Sequence, residues 1–129
     1  DLAKADFVGK RALIAEVAAG GPPRRLVGLD ISWPEIEALY AAEGLAPYAP
    51  PTVSRTHVPL LAGGRQAGRV TSTGWSPILK KMIALASVGV AHARTGGRVQ
   101  VEWTVEAKRK LVSATVVDVP FFDPPRKRA

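Results

Sequence analysis

The side chains able to do chemistry are few and scattered. His57 and His92 are the two histidines of the chain. They stand far apart in sequence, with no carboxylate or second histidine at metal-ligand spacing. Ordinary surface or hydrogen-bonded histidines fit them better than ligands. No cysteine is present, which removes disulfides, thiol nucleophiles and cysteine metal sites together and allows a reducing, cytoplasmic setting. Ser72 and Ser76 lack both a Gly-x-Ser-x-Gly elbow and an accompanying base, so neither reads as a nucleophile. Asp30, Glu102 and Asp118 are carboxylates on strand-like segments, none paired in a way that suggests acid/base work. Gly63-Gly64-Arg65 and Thr95-Gly96-Gly97-Arg98 are too short and strand-bound for a phosphate loop, whose glycines open a helix. They read as hairpin turns. The expectation is a chain with no catalytic residue and no metal site of its own.

The elements that hold these residues are mostly strands. Gly9 to Ala19 is rich in helix formers, with Leu13 and Val17 one turn apart, and Gly20-Gly21-Pro22-Pro23 stops it. Arg25 to Ile31 alternates, with Val27, Leu29 and Ile31 on one side, as a strand with one buried face does. Ser32-Trp33-Pro34-Glu35 has capping-box spacing and opens a second helix carrying Ile36, Leu39 and Tyr40 before Gly44. Trp33 is placed to staple that helix to the rest. Leu45 to Thr56, with Pro47, Pro50 and Pro51, reads as an extended loop. From His57 onward strand and turn alternate: Val58 to Leu61, a Gly63-Gly64 hairpin, Gln66 to Thr73, then a turn through Thr-Ser-Thr-Gly-Trp-Ser-Pro that contains Trp75. Ile83 to Val88 reads as a buried strand. Arg98 to Val105 alternates most cleanly, with Trp103 assigned to the core, and Leu111 to Val119 pairs with it across Glu106 to Arg109. The fold class expected is mainly β: a small antiparallel six-stranded β-barrel with a short N-terminal helix and a helical insertion, closure being what removes exposed edges.

At 129 residues and 47% hydrophobic content, the chain can bury one core and gives no reason for two domains. It opens on Asp1 rather than methionine, so either a processed protein or, in preference, a fragment cut from a longer chain is expected. The longest apolar run, Met82 to Ala91, is about half the roughly 20 residues a membrane helix needs, and no signal-peptide pattern precedes it. A soluble protein away from membranes follows. The formal charge of +7 is spread over Arg24-Arg25, Lys80-Lys81, Lys108-Arg109-Lys110 and Arg126-Lys127-Arg128. These clusters suit solvated strand ends better than a nucleic-acid stripe, which must converge in space and carry stacking aromatics. A basic barrel that binds RNA or a protein partner stays as the alternative class, with nucleic acid disfavoured.

The run Val70-Thr71-Ser72-Thr73-Gly74-Trp75-Ser76-Pro77, followed by Leu79, Lys81, Ile83-Ala84-Leu85-Ala86 and Val88, carries a resemblance. It is similar to the signature of the C-terminal barrel domain of the aminomethyltransferase family, the T-protein of the glycine cleavage system and its relatives. Other landmarks fall in the same order. Asp6-Phe7-Val8-Gly9-Lys10-Arg11-Ala12-Leu13 resembles the family's helix opening, and Arg25-Leu26-Val27-Gly28-Leu29 its first barrel strand. Gly68-Arg69-Val70-Thr71-Ser72 resembles its G-x-[IV]-T-S, and Pro120-Phe121-Phe122 its closing P-F-[FYV].

The resemblance implies the last domain of a tetrahydrofolate-dependent enzyme that moves a one-carbon unit from a small-molecule methyl or aminomethyl donor to folate. The folate would sit mainly in upstream folate-binding domains of the same chain, which also supply the family's acidic residue near the reacting nitrogen. One domain spans 1–129: a leading helix and linker at 1–23, the barrel at 24–123 with an insertion at 32–56, and a basic tail at 124–129. Trp75, Ser76, Lys81 and Phe122 are the folate-facing candidates. Trp75 either walls the folate channel or plugs the barrel end, and Lys80 and Lys81 either neutralise a folate glutamate tail or are solvated. The insertion is longer than the corresponding connection in glycine-cleavage proteins, and the Thr73-Gly74 order differs from the commoner Gly-first turn. Both imply a divergent branch, such as the folate-dependent demethylases of methylated amines, sulfonium compounds or aryl methyl ethers.

Overall fold

Alternating residues become strands and the two helix-forming runs become helices. The computed structural model describes residues 2–127; Asp1, Arg128 and Ala129, the last two in the expected basic tail, lie outside the described residues. The elements run α1 (Lys10–Ala18), β1 (Arg24–Ile31), α2 (Trp33–Ala42), β2 (Val58–Ala62), β3 (Arg65–Ser76), β4 (Lys81–Gly89), β5 (Arg98–Val105) and β6 (Lys108–Val117). The strands close into an antiparallel barrel in the order β1-β4-β3-β2-β5-β6, with β6 returning to β1. The fold is thus mainly β, with one helix ahead of the barrel and one inside its first long connection.

Alternation sets what lies inside. On β4, Met82, Ala84, Ala86 and Val88 are buried, and they meet Val27, Leu29 and Ile31 of β1 and Val99, Val101, Val112, Ala114 and Val116 from the other side. Among the described residues the core contains no polar or charged side chain. Gly68 makes room for the tightest crossing: a β-carbon there would lie 2.3 Å from the Ser87 carbonyl oxygen. That is a physical reason for glycine at the head of Gly68-Arg69-Val70-Thr71-Ser72.

The Thr-Ser-Thr-Gly-Trp-Ser stretch is strand, not turn. β3 stays paired with β4 as far as Ser76, and the chain reverses only over Pro77 to Lys80. Thr71 is the extra residue of a bulge: Val70 pairs with Ala86 and Ser72 with Leu85. The Thr71 hydroxyl donates to the Leu85 carbonyl at 3.1 Å. A one-residue bulge reverses which side chains point inward. Beyond it Thr73 and Trp75 share the inner face with Ala84 and Met82, while Ser72, Gly74 and Ser76 turn outward.

Four smaller expectations are corrected. Thr95-Gly96-Gly97-Arg98 is not a hairpin turn but part of the crossing from β4 to β5, which are not neighbours. The β5–β6 connection is not Glu106 to Arg109 but the two residues Glu106 and Ala107, with φ of 49° and 60°. Both fall in the left-handed region that a tight two-residue hairpin requires, so β6 starts at Lys108 and ends at Val117. Trp103 is half-buried against the core rather than within it. Ser32 caps α2 without a side-chain hydrogen bond. Instead its N–H donates to the Ser113 carbonyl at 2.8 Å, its carbonyl accepts from Ile36 N–H at 3.2 Å, and Glu35 Oε2 accepts the Ser113 N–H at 2.7 Å. Glu35 takes the ladder position that the Ser32 carbonyl leaves when the chain turns into the helix. That contact, and not a capping box, fixes α2 across the barrel end.

Candidate functional site

Where β3 outruns β2, the returning end of the insertion takes over. Ser54 pairs with Thr73 through backbone bonds of 2.8 and 2.9 Å, and Val53 covers Gly74, where a β-carbon would lie 3.1 Å from Val53 Cγ2. On the outer wall Val53, Ser72, Gly74, Trp75, Ile83 and Phe121 line a slot of about 170 Å³. Phe121 also borders a neighbouring hollow of about 150 Å³ with Asp30, Leu79, Lys81, Ile83 and Asp118. Phe121 is a ridge between the two.

Three of the four sequence-expected residues sit together at the β3–β4 hairpin. Trp75 touches the slot and packs on Trp33 with ring centroids 4.7 Å apart at 53°. Trp33 in turn donates from Nε1 to Glu37 Oε1 at 2.8 Å. Ser76 pairs with Lys81 across the hairpin, and its hydroxyl accepts the Leu79 N–H at 3.3 Å. Lys81 is ion-paired with Asp30. Phe122 is exposed and borders neither hollow, whereas its neighbour Phe121 borders both. Phe121 and Val53 line the slot without being among the sequence-expected residues. Phe121 was visible in the closing motif; Val53 had no signal.

Electrostatics add one perturbed group. The Ser113 N–H holds the Glu35 carboxyl below the usual carboxylate range; partial desolvation pushes the other way, while the Ser113 and Ser32 hydroxyls and the Arg98 charge help lower it. The basic clusters do not merge. Strand directions put Lys80-Lys81 and Lys108-Arg109-Lys110 at the end bearing α2 and Arg24-Arg25 at the other. At the α2 end Lys81, Lys108 and Arg109 face Asp30, Glu43 and Glu102. His57 and His92 fall at opposite ends too, ahead of β2 and after β4. Among the described residues no three His, Cys, Asp or Glu side chains gather as metal ligands, and no helix is long and apolar enough to cross a membrane.

Chemically, the arrangement is a contact surface. The slot is smaller than the roughly 300–1,000 Å³ of pockets that enclose small molecules, so it does not itself enclose a pterin ring with its aminobenzoyl arm. What it offers is an apolar notch on the outer wall, with Lys81 in the hollow beside it.

The glycine cleavage T-protein C-terminal barrel domain family matches residues 24–123, from the first residue of β1 past the end of β6. An aminomethyltransferase of Synechococcus sp. (strain CC9902) is 39% identical over 121 residues, covering 94% of this chain and 27% of that protein. One from Bacillus cytotoxicus is 36% identical over 119 residues, covering 92% and 26%. The crystal structure of glycine cleavage system aminomethyltransferase T from Bartonella henselae matches with a TM-score of 0.66 at 25% identity, covering 94% of this chain and 28% of that one. The chain spans about a quarter of the length of the curated relatives it matches. With a match that runs through all six strands of a closed antiparallel barrel, this chain belongs to the family of glycine cleavage T-protein C-terminal barrel domains.

Proposed function

We propose that this chain is the last domain of a tetrahydrofolate-dependent, aminomethyltransferase-like enzyme of the cytoplasm. In this reading it closes one side of a folate channel whose remainder, with the catalytic acid, lies in upstream domains of the same protein. The observation that carries the proposal is the family match over residues 24–123, supported by an outer-wall slot of about 170 Å³ that is smaller than a folate needs. Folate, when bound, supplies the nitrogen nucleophile that accepts the one-carbon unit. The residues of this chain would bind and exclude water. Trp75, from the inner face at the barrel end, would present its ring beside Trp33, while on the outer face Ser76 would offer a hydroxyl and Lys81 a cation suited to a glutamyl carboxylate. The one-carbon donor is a small molecule bearing a methyl or aminomethyl group.

The test compares the longer protein with and without this domain, and with the domain alone, in tetrahydrofolate binding and one-carbon transfer. The longer protein binds and turns over, its truncated form loses folate affinity, and the domain alone does neither. Turnover by the isolated domain, or unchanged folate affinity after its removal, overturns the proposal.

A further inference from the structure

Helix α1 is an anomaly in an otherwise economical fold. None of its nine residues is buried. Leu13, Ile14 and Val17 are 43%, 48% and 59% exposed, and Phe7 and Val8 lie exposed just ahead. These are five of the fourteen exposed large hydrophobic residues of the described chain, concentrated within residues 7–17 rather than scattered as ordinary surface residues are. Leu13 and Val17 are one turn apart with Ile14 beside them, so they form a single face.

Such a helix does not hold itself. Isolated helices shorter than about 12–15 residues are marginal in water, and Gly9 caps this one without a side-chain hydrogen bond. The barrel buries none of its residues either. Gly20 and Gly21, with φ of 102° and 90°, and then Pro22 and Pro23 separate α1 from β1. The Val90 N–H binds the Pro23 carbonyl at 3.2 Å, which ties the chain down only after the helix has ended.

We propose that α1 is a docking helix whose Leu13–Ile14–Val17 face seats on an apolar patch of the protein segment preceding this chain, leaving Gly20-Gly21 as the joint between that body and the barrel. This rests on reading the chain as the last part of a longer protein. The family match starts at Arg24, after α1, and the relatives carry roughly three-quarters of their length beyond the matched region. The helix therefore stands where barrel and preceding body meet. A second copy of the chain is the poorer occupant, since a charge of +7 opposes self-association.

Hydrogen exchange of residues 10–18 is measured in the longer protein and in the 129-residue chain, whose barrel has its own closed core. The α1 amides exchange about a hundredfold more slowly in the longer protein, the scale expected when three partly exposed aliphatic side chains become buried. A Leu13→Lys/Val17→Lys double variant of the longer protein loses that protection, while β4 and β5 exchange as before. Equal exchange in both proteins overturns the proposal, as does protection that survives the double variant. Protection in the 129-residue chain that rises with concentration as dimers form assigns the face to a second copy and overturns it as well. Tetrahydrofolate affinity is read separately: a protected α1 in a protein without folate affinity removes the folate reading and supports this one.

Discussion

The ring of Phe121 lies over Gly28 so closely that a β-carbon at Gly28 would fall 2.7 Å from Phe121 Cε1 and 3.0 Å from Val117 Cγ2. Two motifs at opposite ends of the chain, Arg25-Leu26-Val27-Gly28-Leu29 and Pro120-Phe121-Phe122, are thus one contact. Gly28→Ala is expected to displace the ring and cost about 1–3 kcal/mol, the usual range for overpacking. In a Phe121→Ala background the same substitution costs much less, because neighbouring changes do not add. Urea denaturation of the four proteins measures the cycle; additive losses refute the contact.

Gly68→Ala should be worse than Gly28→Ala. Its new methyl meets the Ser87 carbonyl oxygen at 2.3 Å and Val88 Cα at 2.9 Å, which are backbone atoms and not the end of a side chain. The expected loss is about 3 kcal/mol or more. A Gly68→Ala melt equal to that of Gly28→Ala contradicts this ordering.

Trp75 is placed to plug the barrel end, on the inner face opposite Met82 and against Trp33. Trp75→Ala should destabilise the domain by roughly 2–4 kcal/mol, below the loss for a fully buried tryptophan. Coupling to Trp33→Ala should be about 0.5–1.5 kcal/mol. In the longer protein folate affinity falls as well, by a smaller free energy. A variant that melts like wild type and binds folate normally excludes both roles.

Glu35 gives a pH signature. Its carboxyl titrates below the ordinary range because the anion accepts the Ser113 N–H. A depressed carboxylate stabilises the folded state above its unfolded pKa, and that contribution disappears as pH falls through the folded value. Wild type should therefore exceed Glu35→Gln in stability by a constant, small amount from neutral pH to about 4.5. The gap then closes on further acidification. Melting curves across that range settle it; a gap that widens in acid is the wrong sign.

Lys81 is half-exposed and paired with Asp30, and surface pairs of this kind contribute about 0–1 kcal/mol. Lys81→Ala should leave the melting temperature nearly unchanged. If the lysine meets a glutamyl carboxylate in the longer protein, the same variant lowers folate affinity, and the loss shrinks with added salt. Folate affinity unchanged at low salt removes Lys81 from the site.

The barrel was legible because its evidence is local. Val99, Val101 and Val105 alternate with Arg98, Gln100 and Thr104, and the Gly63-Gly64 hairpin carries its own signal, with φ of 56° and 74°. What escaped depends on pairing or distance. The composition of Thr71 to Ser76 reads as turn, but the strand continues because β4 supplies a partner to every residue from Ser72 onward. Glu106 and Ala107 adopt left-handed conformations without glycine or asparagine to announce them. Glu35 matched a capping box by spacing and was drawn to Ser113, far along the chain. For the slot, Trp75 was visible as a large aromatic in a motif. Val53 and Phe121 reach it only through folding, from a proline-rich loop and from the closing segment.

Closure has a consequence for how such a domain changes over generations. Every strand has a neighbour on both sides, so among the described residues only short stretches, such as the end of β3 beyond β2, are left to recruit another chain by strand addition. Recognition falls to side chains and loops. On β4 adjacent positions answer to different demands: Met82, Ala84 and Ala86 to the interior, Ile83, Leu85 and Ser87 to whatever lies outside. Outward letters can drift to suit a new neighbour or donor while inward letters stay fixed, so one scaffold can serve diverging partners without being rebuilt.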